Sequence, residues 1–276
     1  MASRALGAAC MKSIFPMLVV LLVFGTICTG CRRTSERSVS LLGSTSIQPF
    51  AEMLAERYAK DHPGEFVEVQ GGGSTAGLQA TESGLVNIGM CSRSLTAKEA
   101  LVFTSILIAR DGLALVVNRE NPVIKLSVEQ VRALFAGRVT NWRDVGGKHG
   151  PIRPITREEG SGTRESFVRL VMGKERIAGR ALTQESNGAV KELVKGDPAA
   201  IGYMSLGLVD KDLKAVAIDG IQPTVENVLA DRYHLVRPLL FVTKGAANVA
   251  ARKFIDFVLS PPGQNLLASE GLVKSQ

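Results

Sequence analysis

From Val39 onward, short apolar runs alternate with stretches in which apolar residues recur at helical spacing. The runs Val39–Leu42, Phe66–Gln70, Val86–Met90, Leu113–Asn118, Ile152–Thr156, Ile201–Met204, Ala215–Ile218 and Leu239–Val242 read as strands. Between them, Pro49–Lys60 places Phe50, Met53, Leu54 and Tyr58 on one helical face, and Pro49 suits a first turn. Ser127–Ala136, Arg164–Met172, Val190–Lys195 and Asn248–Leu259 carry the same helical period. This alternation predicts an α/β architecture. No internal repeat or low-complexity segment interrupts it.

Three of the predicted strand-to-helix junctions share a composition. "GSTSI" (Gly43–Ile47) follows the first strand, "GGGSTAG" (Gly71–Gly77) follows the second, and "TREEGSGTRESF" (Thr156–Phe167) follows a later one. Glycine lets backbone approach a ligand, Ser and Thr supply hydroxyl donors, and a helix start presents unpaired N–H groups at the positive end of its dipole. Any one of these stretches is explained as an ordinary N-capped helix. Three of them, gathered at the carboxyl ends of strands, would surround a small oxyanion with donors. Arg157, beside Glu158 and Glu159, adds a charge of the right sign.

The N-terminus changes the picture of where such a chain works. Residues 13–30, "SIFPMLVVLLVFGTICTG", form an apolar run behind Lys12 and end in small residues before Cys31. That layout predicts a secretory signal peptide over residues 1–30. A retained membrane anchor is the competing reading, against which stand the short run and Pro16. Met11 offers a more natural start than Met1. Cleavage before Cys31 would leave residues 31–38 as a polar tether. The net charge of +7 would fall by Arg4 and Lys12 to +5. A mildly positive field favours small anions. With one Trp, three Tyr and no dense basic run, nothing points to nucleic acid. Of the four cysteines only Cys31 and Cys91 would remain, so no disulfide framework is implied.

Catalytic signatures are poor. "EGSGT" lacks the Gly of a nucleophile elbow two residues before its Ser, and "GGGSTAG" lacks the Lys of a P-loop. His62, His149 and His234 show no metal-ligand spacing, so no metal or cofactor is expected.

Taken in order, "GSTSIQPFAE", "VQGGGSTAG", "NIGMCSRSL", "DGLALVVN", "LFAGRVTNWRDVGG", "ITREEGSGTRESF", "AIGYMSLG" and "FIDFVLSPPGQNLLASEG" resemble the PstS family, the phosphate-binding proteins of bacterial ABC phosphate importers. The resemblance spans nearly all of residues 39–276. It implies a two-lobed periplasmic binding protein of type II, with two crossover hinge strands and a ligand cleft between the lobes. Residues 39–115 with 235–276 would form lobe I, and residues 116–234 lobe II. It also implies a phosphate site made by Ser46 and the Ile47 N–H, by Ser74, and by Arg157, Ser161, the Gly162 N–H and Thr163, with Glu159 fixing Arg157. Ser92 and Arg93 stand where prominent members carry an Asp that accepts the phosphate proton. Ser92 can accept or donate, and Arg93 either adds positive charge to the site or forms a salt bridge away from it. "ICTGC" resembles a lipobox, which implies lipidation of Cys31, although Cys28 stands where Leu is usual.

The expected function is therefore a monomeric, lipid-anchored, extracytoplasmic protein that captures inorganic phosphate and delivers it to a membrane permease. A binder of sulfate, molybdate or tungstate, a phosphate-ester hydrolase in the same cleft, and a sensory or adhesive protein on the same fold remain open at this point.

Overall fold

A computed structural model describes residues 38–275; the signal, tether and lipobox expectations lie outside the described residues, except that Ser38, the expected end of the tether, opens the first strand. The described residues form twelve strands: β1 (Ser38–Gly43), β2 (Phe66–Gly71), β3 (Ile88–Cys91), β4 (Phe103–Asn118), β5 (Lys125–Leu126), β6 (Arg153–Arg157), β7 (Leu182–Gln184), β8 (Ala200–Ser205), β9 (Leu213–Ala215), β10 (Ala217–Ile218), β11 (Val236–Lys244) and β12 (Val273–Lys274). Most lie in one curled sheet of order β2-β1-β3-β11-β4-β8-β6-β7. Helices pack on its faces, so the architecture is mixed α/β.

Two main hydrophobic cores divide the described chain into two lobes. One gathers Val39, Leu41, Phe50, Leu54, Tyr58 and Ile88 with Phe241, Phe254, Val258 and Leu267, uniting the first third with the C-terminal segment. The other gathers Leu115, Val117, Leu134, Phe135, Trp142, Phe167, Ile201 and Tyr203. In it Phe167 stacks on Tyr203 with ring centroids 4.0 Å apart.

Strand β4 joins the lobes. Its first part, Phe103–Gly112, pairs antiparallel with β11, whereas Leu113–Val117 pairs antiparallel with β8. The return crossing is the segment before β11, where the Leu113 N–H donates to the Leu235 carbonyl at 2.7 Å and Tyr233 Oη donates to the Leu113 carbonyl at 2.8 Å. The sequence pattern predicts only the second half of β4. Arg110-Asp111-Gly112 reads locally as a turn, but cross-strand pairing with Val236–Pro238 carries the strand straight through.

The helix starts follow from capping chemistry. Thr96 and Ser127 each form a full capping box, with Glu99 and Gln130 respectively, and Asn248 caps the helix Val249–Leu259. The predicted helix beginning at Arg164 starts at Gly162, and Val168–Met172 continues it as a π-helical turn. The helices Ser74–Glu82, Ala97–Val102 and Pro261–Ser269 complete the set near the first lobe.

Candidate anion-binding site

The three Gly and Ser/Thr junctions meet where the lobes touch. Gly43 ends β1 with a φ of 146°, and a Cβ there would lie 2.3 Å from the Met90 carbonyl oxygen, so only glycine permits this turn. The turn carries Ser44, Thr45 and Ser46 into the interface; Ser44 and Ser46 are buried. Ser74 opens the helix that follows β2, Ser92 follows β3, and Ser161 caps the helix that follows β6. By helix geometry the N–H groups of Gly162 and Thr163 have no intrahelical acceptor.

The approach between lobes is close. A Cβ on Gly162 would stand 2.3 Å from Ser74 Oγ and 2.7 Å from Ser92 Oγ, so the absence of a side chain lets the second lobe's helix start meet the first lobe's hydroxyls. The Thr75 N–H donates to the Gly160 carbonyl at 3.0 Å, and Ser166 Oγ donates to the Ser92 carbonyl at 3.2 Å. Ser44 Oγ donates to Ser92 Oγ at 2.8 Å, and the Ser92 N–H donates to Ser74 Oγ at 3.1 Å.

Arg157 is 1% exposed at the end of β6. Its Nε and Nη2 donate to the two carboxylate oxygens of Glu158, each at 2.9 Å. Nε also reaches the Gln184 carbonyl at 3.1 Å, and Nη2 reaches the Glu185 carbonyl at 3.0 Å and Thr45 Oγ1 at 3.1 Å. The third nitrogen, Nη1, is buried and has no hydrogen-bond partner. A guanidinium fixed by every nitrogen but one leaves that one free to meet an acceptor. Buried donors left unpaired are costly, and native structures contain few.

Three expectations change here. The acid that fixes Arg157 is Glu158, because the chain leaving β6 folds its side chain back along the guanidinium; Glu159 is exposed. The Ile47 N–H donates to the Ser44 carbonyl at 3.0 Å, spent on closing the turn, while the Ile47 side chain sits in the first core. Arg93 lies outside the hydroxyl cluster. Its Nη1 and Nη2 bond Glu99 at 2.8 Å each, and its Nε lies 2.7 Å from Glu165 on the other lobe. This is the salt-bridge alternative, at the edge of a cleft of about 560 Å³ that Glu159 and Arg164 also line. Arg93 holds the Glu99 carboxyl down at about 2, chiefly through the paired hydrogen bonds.

Several residues of the cluster carry no sequence motif. Asp111 and Arg237 face each other across β4 and β11 and are fully buried. Asp111 accepts from Arg237 Nε at 3.0 Å and Nη2 at 2.9 Å, from Ser205 Oγ at 2.9 Å and from the Leu206 N–H at 3.2 Å. Burial pushes its carboxyl upward, but all four contacts deliver protons and so favour the carboxylate. Arg237 extends beyond Asp111 to Thr163 Oγ1 at 2.7 Å and Ser46 Oγ at 2.9 Å. Asn187 Nδ2 also donates to Ser46 Oγ, at 2.9 Å. The only signal for Asp111 and Arg237 in the sequence is a charge embedded in an otherwise apolar strand, which demands a partner.

A family model for the PBP superfamily domain matches residues 32–262. The phosphate-binding protein PstS of Bacillus subtilis is 31% identical over 238 residues, covering 84% of this chain and 79% of the relative. The chain belongs to the PstS family of the PBP superfamily. Its relative in Borreliella burgdorferi, also a phosphate-binding PstS protein, is 26% identical over 92% of this chain and 98% of its own length. Among solved structures, an ABC transporter substrate-binding protein assigned to phosphate from Clostridium perfringens, holding bound phosphate, superposes with a TM-score of 0.84. It shares 38% identity and covers 87% of this chain and 100% of its own. An ABC-type phosphate transport receptor from Vibrio cholerae gives 0.72 at 39% identity, over 85% and 99% of the two chains. These PstS relatives and transport receptors are binding components of importers, not enzymes, and the two-lobed fold agrees with theirs.

Proposed function

We propose that this chain captures inorganic phosphate between its lobes and delivers it to the permease of an ABC importer. The observation that carries the reading is Arg157 Nη1, a buried, unpartnered cationic donor at the meeting point of three hydroxyl-rich junctions. Ser46, Ser74, Ser92, Ser161, Thr163 and the Gly162 N–H are the donors around it. The names of the curated relatives and the phosphate held by the Clostridium perfringens neighbour support the same ligand. A co-crystal with phosphate tests the placement: an anion oxygen within hydrogen-bond reach of Arg157 Nη1 is expected. Phosphate bound elsewhere, with Nη1 still unpaired, would overturn it.

Residues 39–115 with 235–276 act as one rigid lobe and 116–234 as the other, turning about the two crossover segments. Each lobe holds only part of the donor set, which supports closure on the ligand. The chain works as a monomer outside the cytoplasm, exported by residues 1–30 and held at the membrane through lipid on Cys31. No described helix is long and apolar enough to cross a membrane. Against a hydrolase in the same cleft stand the relatives and neighbours, which are named as phosphate-binding and transporter substrate-binding proteins.

A further inference from the structure

The hydroxyls of the site differ in the direction in which they can donate. A hydroxyl offers one proton and two lone pairs. Ser46 Oγ receives protons from Arg237 Nη2 and from Asn187 Nδ2, both at 2.9 Å. The Asn187 amide cannot be reversed, because its oxygen accepts the Ser205 N–H at 3.3 Å. Both lone pairs of Ser46 are therefore occupied. In its 2.9 Å contact with Thr163 Oγ1, Ser46 must be the donor. Thr163 Oγ1 then accepts from Ser46 and from Arg237 Nη1, so its own proton can only point outward. An anion that displaces the Ser46–Thr163 contact meets Ser46, whose lone pairs stay filled so that it can only donate, and Thr163, which keeps the Arg237 bond and regains one lone pair.

The opposite wall is different. Ser92 Oγ accepts from Ser44, and Ser74 Oγ accepts the Ser92 N–H, so each keeps a lone pair for a ligand or for its neighbour.

We propose that Arg237, held by Asp111, is a positioning and specificity-determining residue. With Asn187 it fixes Ser46 as an obligate donor, and so turns the single proton of HPO₄²⁻ away from Ser46 toward the other hydroxyls. The proposal rests on the phosphate reading. It takes one hydroxyl out of the set that can accept a P–OH, and so favours the dianion over H₂PO₄⁻ without a carboxylate in contact with the ligand. The pair sits one residue before β4 changes partner from β11 to β8, and Arg237 contacts a hydroxyl from each lobe. The wall is thus assembled at the hinge itself.

The charged and titratable groups facing the cluster are Arg157 with Glu158, Arg164, Asp111 with Arg237, Cys91 and Tyr203. Burial pushes the Cys91 thiol and the Tyr203 phenol upward, away from the neutral range. Replacing Arg237 and Asp111 together leaves the net charge of the site unchanged, which separates hydroxyl orientation from simple electrostatics.

The test is calorimetric titration with phosphate across the second ionisation of phosphate, on the parent, on Arg237→Met/Asp111→Asn and on Arg237→Lys, with thermal melting as the fold control. The parent is expected to bind more tightly as pH rises and HPO₄²⁻ replaces H₂PO₄⁻. The double variant loses roughly tenfold in affinity, one charge-assisted hydrogen bond's worth. Its pH profile flattens, because a freed lone pair on Ser46 now accepts a P–OH. Arg237→Lys keeps the ion pair but cannot serve both hydroxyls, and flattens the profile in part. It carries the test if the double variant does not fold. A parental pH slope in a folded variant overturns the proposal while leaving the phosphate reading intact. A parent that binds no phosphate overturns both.

Discussion

On the proposed reading, truncating Arg157 removes the buried cationic donor that meets the anion. In Arg157→Ala the loss has two parts. The bound dianion loses its charge partner in a buried, hydrogen-bonded setting, an effect of roughly 2–5 kcal/mol, at least about thirtyfold in affinity. Glu158 also loses the guanidinium that holds both its oxygens at 2.9 Å, leaving a carboxylate uncompensated at the site's edge. That second term repels the anion and adds to the first. Arg157→Lys recovers only part, since a point ammonium cannot bond Glu158, the Gln184 and Glu185 carbonyls and the ligand together. Glu158→Ala frees the guanidinium and weakens binding, whereas Glu159→Ala, at an exposed position, leaves it nearly unchanged. Calorimetry on the four variants, with melting temperatures alongside, measures each term. Binding by folded Arg157→Ala within about threefold of the parent would refute the reasoning, because it is far below the thirtyfold that the lost pair demands.

Gly162→Ala puts a Cβ 2.3 Å from Ser74 Oγ; overpacking of that kind costs about 1–3 kcal/mol, so phosphate affinity falls about fivefold to hundredfold, and small-angle scattering shows an expanded chain even at saturating phosphate. The Glu99 carboxyl is held at about 2 against an ordinary 4.5, so its pairing with Arg93 stabilises the fold fully above the ordinary value and is lost as pH falls toward the lower one. Arg93→Met should therefore flatten the acid limb of a stability-versus-pH curve, and an unchanged limb would contradict the pairing. Cys31→Ala should move the protein from the membrane to the soluble fraction or stall its processing, as fractionation would show; a variant as membrane-bound as the parent speaks against the lipid anchor.

What the sequence made legible was local. β1 and β2, the helix after β1 and the glycine turns could be read because period and turn chemistry act over a few residues. The grouping of the three junctions was readable because each repeats the same composition after a strand. Asp111 and Arg237 lie 126 positions apart, and only the β4–β11 register makes them neighbours. "RDG" and "RPL" contain nothing that names a partner. The choice between Glu158 and Glu159 turned on backbone direction past the end of β6, which no residue type specifies. Arg93 illustrates the converse: its sequence position fits an anion ligand, and two acids from separate lobes claim it instead.

Calorimetric titration of the purified chain with phosphate, sulfate and arsenate tests the central claim most directly. One phosphate per chain is expected, with arsenate, which has the same shape and proton, as the nearest competitor. Sulfate brings no proton for the acceptors of the site, but Ser74 and Ser92 can turn their own protons toward it, so it should compete measurably and less well than arsenate. Sulfate bound more tightly than phosphate, or no heat with either, would contradict the account.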